Sequence, residues 1–140
     1  MIFYGVKITA VIVAAIAAWL FGAAYYTPLG KLWVAAQGKT LEEIKCGGKT
    51  GFAKVAPFIL SFICELLMAG MLAGLMIRTG PMTVSHGLKL AFAIWLGFMV
   101  TTIAVNYAFA DHKPMLTLID AGHWLGVVLI MGAVIGVFGF

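Results

Sequence analysis

Four residues in this 140-residue chain carry chemistry where little else is polar: Glu65, Asn106, Asp120 and His123. Each falls within a long apolar run. A carboxylate, an imidazole and an amide held in hydrocarbon can hold a cation, pass a proton or bind a small solute. Glu65 follows Pro57 by eight residues. At helical rise it lies roughly 12 Å inside a helix that Pro57 begins. His123 lies six residues after Thr117, roughly 9 Å deep by the same rise. Asp120 precedes it by one turn, and Asn106 lies near the end of the preceding run. In alternating helices all four share one half of the membrane. A Glu65–His123 contact is the pairing this shared depth suggests.

Other readings of the same residues stay open. Asp120 fits the N3 position of a helix capped by Thr117, where a carboxylate favours the positive helix end. His123 and Trp124 fit interfacial anchors, as do Tyr25, Tyr26 and Trp33. Glu65 fits a protonated side chain hydrogen-bonded to a neighbouring helix. In the other membrane half, His86 with Arg78 and Lys89 could hold an anionic lipid headgroup, or serve only as snorkelling residues that set topology. His86 and His123 fall on opposite sides, so they are not expected to clamp one haem. Cys46 and Cys64 have no zinc or disulfide spacing. No metal and no cofactor is expected, and no catalytic residue is assigned, because HExxH, GxSxG and paired-carboxylate motifs are missing from the sequence.

The elements that must position these groups follow from composition. Hydrophobic residues make up 64% of the chain, charged residues 10%, and mean hydropathy is +1.10. So few charges cannot coat a soluble domain of 14.9 kDa, and the apolar content excludes disorder. A ~30 Å hydrocarbon core needs roughly 20 apolar residues as a helix. The expected spans are about 8–26, 57–77, 90–110 and 117–140, with Pro28 ending the first and Pro57 in the first turn of the second. Backbone groups in lipid have no outside partner, so the spans are helices. The expectation is an all-α polytopic membrane protein, one domain over 1–140, with four transmembrane helices in an up-down bundle.

The connection 27–56 is the long one. Pro28–Val34 mixes apolar and basic residues, as an interfacial amphipathic segment does. Thr40-Leu41-Glu42-Glu43 fits a capping box, and Gly47, Gly48 and Gly51 fit a flexible return. The loop reads as a surface connector or as a docking surface for a partner. Lys31, Lys39, Lys45, Lys49, Lys54 and Lys113 lie on its side; Lys7, Arg78 and Lys89 lie on the other. This asymmetry puts the long loop in the cytoplasm and both termini outside. The net charge of +4 is explained by that loop, so nucleic acid is not an expected partner.

Small residues recur at helical spacing: Ala10, Ala14, Ala18 and Gly22; Gly70 and Gly74; Ala93, Gly97 and Thr101; Gly132 and Gly136. Such faces let helices approach closely in lipid. The pair on the last helix is the one left over for self-association, which makes a homo-oligomer an expected assembly.

The stretch Tyr25-Tyr26-Thr27-Pro28-Leu29-Gly30-Lys31-Leu32-Trp33 resembles the aromatic-Ser/Thr-Pro…Gly-Lys-x-Trp signature of a bacterial membrane family catalogued as domain of unknown function 1761. The Gly-bearing third helix from Gly87 through Gly97-Phe98 resembles it too. So does Leu118-Ile119-Asp120-Ala121-Gly122-His123-Trp124, with His123 where that family more often has an aromatic residue. The resemblance covers nearly the whole chain and implies four membrane helices and no established activity. Two functions remain in view. One is a small homo-oligomeric protein, not an enzyme, with an intramembrane Glu/Asp/His/Asn site. The other is an accessory or assembly subunit of a larger membrane complex. The lipid bilayer is the partner common to both.

Overall fold

The computed structural model describes residues 2–3, 5–46, 48 and 50–139. A short hairpin, β1 (Ile2–Phe3) and β2 (Val6–Lys7), leads into helices α1 (Ile8–Ala36), α2 (Leu41–Cys46), α3 (Phe52–Thr79), α4 (Val84–Ile94), α5 (Val100–Phe109) and α6 (Pro114–Phe138). A five-residue π-helical segment, Trp95–Met99, joins α4 to α5. Residues Val84–Phe109 therefore act as one long helix. Together with α1, α3 and α6 it makes four helices long and apolar enough to cross a membrane. The protein is all-α and polytopic, as expected. Gly47 and Lys49, which the sequence places in the flexible return and in the loop's basic set, lie outside the described residues.

Consecutive long helices run antiparallel. Trp19 on α1 meets Phe58 and Ser61 early in α3. Gly87 and Gly132 touch across α4 and α6, while Tyr107 of α5 reaches Asp120 of α6. Lys7 donates to the Phe138 carbonyl at one end of the α1–α6 pair, and Lys113 donates to the Ala35 carbonyl at the other. Helix α6 is the hub: it packs heavily on α1 and α4 and also touches α3 and α5.

The core is built from small side chains. Ala10, Ala14, Ala15 and Ala18 of α1, Ala69 and Ala73 of α3, and Ala91 of α4 are fully buried. Met76 of α3 and Val127, Met131 and Ile135 of α6 are the larger side chains fully buried beside them, while many other large apolar residues point outward: Phe98 is 73% and Phe109 91% exposed. Small inside and large outside is the arrangement lipid favours, since bulky side chains gain nothing from leaving hydrocarbon while small ones allow backbone contact. Gly132 and Gly136 are part of this interior. A Cβ on Gly132 would lie 2.5 Å from the Gly87 carbonyl oxygen, and one on Gly136 would lie 2.5 Å from the Thr83 backbone. The expectation that this pair is left over for self-association is therefore corrected: it is spent on the α4–α6 contact. Ala93, Gly97 and Thr101 are instead exposed, and a Cβ at Gly70 or Gly97 would meet nothing within 4 Å.

The two prolines do not bound helices as expected. Helix α1 continues through Pro28 for two more turns, and Pro57 is the sixth residue of α3, outside its first turn. An interior proline costs roughly 3 kcal/mol of helix stability. Tertiary packing offsets it in α1. Tyr25, Tyr26, Leu29, Trp33 and Ala36 fall at helical spacing and pack on Leu116 and Ile119 of α6. The 28–34 segment is thus a docked helix end with Val34 buried, not an amphipathic stretch lying on a bilayer surface. Gly38, with φ +73, then closes the helix by donating to the Ala35 carbonyl. The capping box forms as read: the Thr40 amide donates to Glu43 Oε2 at 2.7 Å, and the Glu43 amide to Thr40 Oγ1 at 3.2 Å. Helix α6 begins at Pro114, so Thr117 is not its cap and Asp120 is not at N3.

Candidate intramembrane site

Glu65, Asp120 and His123 are the buried polar side chains among the described residues, at 2%, 7% and 7% exposure. They occupy two adjoining settings of opposite character. Asp120 is fully engaged. Its Oδ1 accepts from Tyr26 Oη at 2.6 Å and from Trp33 Nε1 at 3.0 Å. Its Oδ2 accepts from Tyr107 Oη at 2.6 Å. An indole nitrogen only donates, and both phenols are short, which is how donors surround an ionised carboxylate. The cage ties α1 beyond Pro28 and the end of α5 to α6. Tyr25 adds a fourth link by donating to the Ile119 carbonyl at 2.9 Å. The polar ends of Tyr25, Tyr26 and Trp33, expected as interfacial anchors, point inward at α6.

Glu65 and His123 form the second setting. Both line a cleft of about 510 Å³ between α1, α3 and α6. Glu65 Oε2 and His123 Nδ1 have no hydrogen-bond partner there, so the expected Glu65–His123 pairing is not made through these atoms. The walls are Trp19, Tyr26, Phe58 and Trp124, with Ser61 one turn before Glu65 on the same helix face. Two of the wall residues are held by hydrogen bonds. Trp19 Nε1 is in reach of both Ser61 Oγ at 3.0 Å and the Phe58 carbonyl at 3.2 Å, and Tyr26 is held by Asp120. His123 sits among aromatic rings, stacked on Phe21 with centroids 6.2 Å apart and 4.8 Å from Tyr26. Two glycines make room. A Cβ on Gly22 would come 2.9 Å from His123 Nε2, and one on Gly122 would come 2.7 Å from Tyr25 Oη. Trp124 lines the cleft, edge-on to His123 at 5.0 Å; His123 is buried and Trp124 half-buried.

Both groups sit further along their helices than the sequence suggests. Glu65 is thirteen residues from the start of α3 and His123 nine from the start of α6, roughly 20 Å and 14 Å along the axes. The structure brings Glu65 and His123 to one cleft and sets Asp120 behind it, reached through Tyr26. It does not bring in Asn106, which is exposed on α5 while its neighbour Tyr107 turns to Asp120. The cationic group on the other side also separates. Arg78 Nη1 donates to its own helix at the Gly74 carbonyl. The His86 ring bonds Thr79 Oγ1 at 3.0 Å and packs over Gly80, which staples the α3–α4 turn. Lys89 is exposed.

Trp19, Ser61, Tyr107 and Trp95 were not singled out by sequence reasoning. Ser61 had a signal, its four-residue spacing from Glu65. Tyr107 had a weaker one, since a buried carboxylate needs donors from its own membrane half. Trp95 lies in the π-helical segment and donates to the Ala121 carbonyl at 2.8 Å, a register that sequence does not reveal. Among the described residues no group of three His, Cys, Asp or Glu side chains could hold a metal ion.

The two stretches richest in aromatic and polar residues, 25–33 and 118–124, thus meet in space and build both settings. No curated protein and no solved structure matches the chain. A family match does cover almost all of it, from 9 to 136, including both stretches, and on that match the chain belongs to the family described as Protein of unknown function (DUF1761).

Proposed function

We propose that this integral membrane protein takes up a proton or a cationic solute at the cleft formed by Glu65 and His123. One observation carries the reading: two buried polar atoms, Glu65 Oε2 and His123 Nδ1, lack partners and line the same cleft. An orphaned buried acceptor costs stability, and such groups persist where they serve function. Asp120, by contrast, is read as a positioning residue. Its cage holds Tyr26, and with it one wall of the cleft.

The protein acts as a binding or transport protein and not as an enzyme. It sits in a bacterial inner membrane, as the family resemblance implies, with the long loop cytoplasmic and both termini outside, as the lysine asymmetry favours. It self-associates through the third long helix, whose Ala93, Gly97 and Thr101 are exposed and whose apolar window is the least buried of the four, at 6%. The same exposed helix supports a second reading, an accessory subunit packed on a larger membrane complex. Native purification separates the two: a homogeneous self-complex favours the first and a stoichiometric foreign subunit the second.

The site is tested in proteoliposomes carrying a trapped pH dye, with a potassium diffusion potential as the driving force. Wild-type protein is expected to move protons faster than empty liposomes, and Glu65→Gln to fall to the empty-liposome rate. Equal rates for wild type and Glu65→Gln would refute the site.

A further inference from the structure

We infer that the ligand of the Glu65 cleft is a monovalent organic cation with an apolar body, such as a lipophilic ammonium or phosphonium. This rests on the reading of the cleft as a binding site and adds the chemical class of its occupant. Charge is the first argument. Glu65 lines the cleft, the caged Asp120 lies behind its Tyr26 wall, and the basic groups of the lining are limited to the His123 imidazole, with neither Lys nor Arg. An anion would meet two carboxylates, whereas a cation supplies the counter-charge that a buried carboxylate requires.

The walls supply the second argument. Trp19, Tyr26, Phe58 and Trp124 give aromatic surface on the α1, α3 and α6 sides. Aromatic rings attract organic cations through their quadrupoles and cover their alkyl or aryl groups. Trp19 and Tyr26 are held by hydrogen bonds made away from the carboxylate of Glu65, so the surface is organised before a ligand arrives. A bare metal ion is a poor match, because it needs several oxygen or nitrogen ligands and no suitable triad exists among the described residues.

Size and access agree. The cleft volume of about 510 Å³ suits a small organic molecule. Its rim residues Ala23, Thr27 and Phe58 are exposed between α1 and α3, on a surface of membrane-spanning helices. A ligand entering there must first partition into lipid, which demands an apolar body.

Tetraphenylphosphonium and tetraphenylborate share shape and apolar surface and differ in charge, so together they isolate the charge term. Equilibrium dialysis against the purified full chain in lipid nanodiscs, with empty nanodiscs as background, measures both. Saturable binding of tetraphenylphosphonium to the wild type is expected, with none for tetraphenylborate. Glu65→Gln is expected to weaken the cation by about tenfold or more, as loss of a charge-assisted contact does. The inference is overturned if the folded wild type shows no saturable cation binding, if tetraphenylborate binds as tightly, or if Glu65→Gln binds the cation unchanged. The comparison of the two ions on wild type needs no variant to fold. Failure of tetraphenylphosphonium while Glu65→Gln still abolishes proton flux removes the ligand class and leaves the site. Failure of both experiments removes both.

Discussion

Gly132→Ala probes the contact on which the hub helix depends. A Cβ at 132 would lie 2.5 Å from the Gly87 oxygen, 2.7 Å from the Gly87 carbonyl carbon and 3.3 Å from Ala91 Cβ. The two nearest atoms are backbone, so no side chain can swing aside. A carbon rests no closer than about 3.3 Å to a carbonyl oxygen, so α4 and α6 must part by about 0.8 Å. A gap of that size forfeits about a quarter to a half of each dispersion contact along the seam. Overpacking of this kind costs about 1–3 kcal/mol, and the better helix propensity of alanine returns up to about 1 kcal/mol. A net loss of up to about 3 kcal/mol follows. The assay is thermal unfolding in non-ionic detergent, followed by far-ultraviolet circular dichroism. Gly97→Ala is the control, since nothing lies within 4 Å of a Cβ there, and it is expected to hold or raise the midpoint. A Gly132→Ala midpoint at or above wild type, or an equal fall in Gly97→Ala, would refute the reasoning. A change in oligomer mass without a fall in the midpoint would return Gly132 to an outer, self-associating face.

Two further outcomes follow from the site. Tyr107→Phe removes one of three donors to a charged acceptor and should destabilise by about 1.5–3 kcal/mol, against about 0.5–1.5 kcal/mol for Tyr25→Phe, whose hydroxyl serves a neutral carbonyl; a denaturant titration showing the reverse order would contradict an ionised Asp120. Glu65→Met removes an oxygen whose burial without a partner costs about 1–3 kcal/mol and fills the space with an adaptable side chain, so the melting midpoint should rise as proton flux is lost; a lower midpoint would show that Glu65 serves packing.

Much of the fold was legible because lipid imposes a simple rule. Long apolar runs must be helices, and the expected spans 8–26 and 57–77 fall within one each, while 90–110 and 117–140 overlap one each and run past its C-terminal end. Helix ends were less legible. Pro28 is a strong local stop, yet Tyr26 and Trp33, two turns apart, find Asp120 on α6, and that distant carboxylate holds the helix together past the proline. The site was partly legible. Depth alone placed Glu65 and His123 at one level, because depth is counted along the chain. Rotation about each axis is not so counted, and it set Asn106 outside and Tyr107 inside.

By itself the sequence determined the solvent, the number of long helices, the capping box at Thr40, and the scarcity of charge that makes Glu65 conspicuous. These depend on local composition and on spacing within one helix. Tertiary structure decided which polar groups are satisfied. Asp120 and Glu65 are both acids in apolar helices, and nothing local separates their roles. Three donors from α1 and α5 converge on Asp120, while α1 presents Trp19 and Gly22 to the space beside Glu65. A carboxylate's role is set by the atoms that surround it, and those atoms arrive from helices far away in sequence.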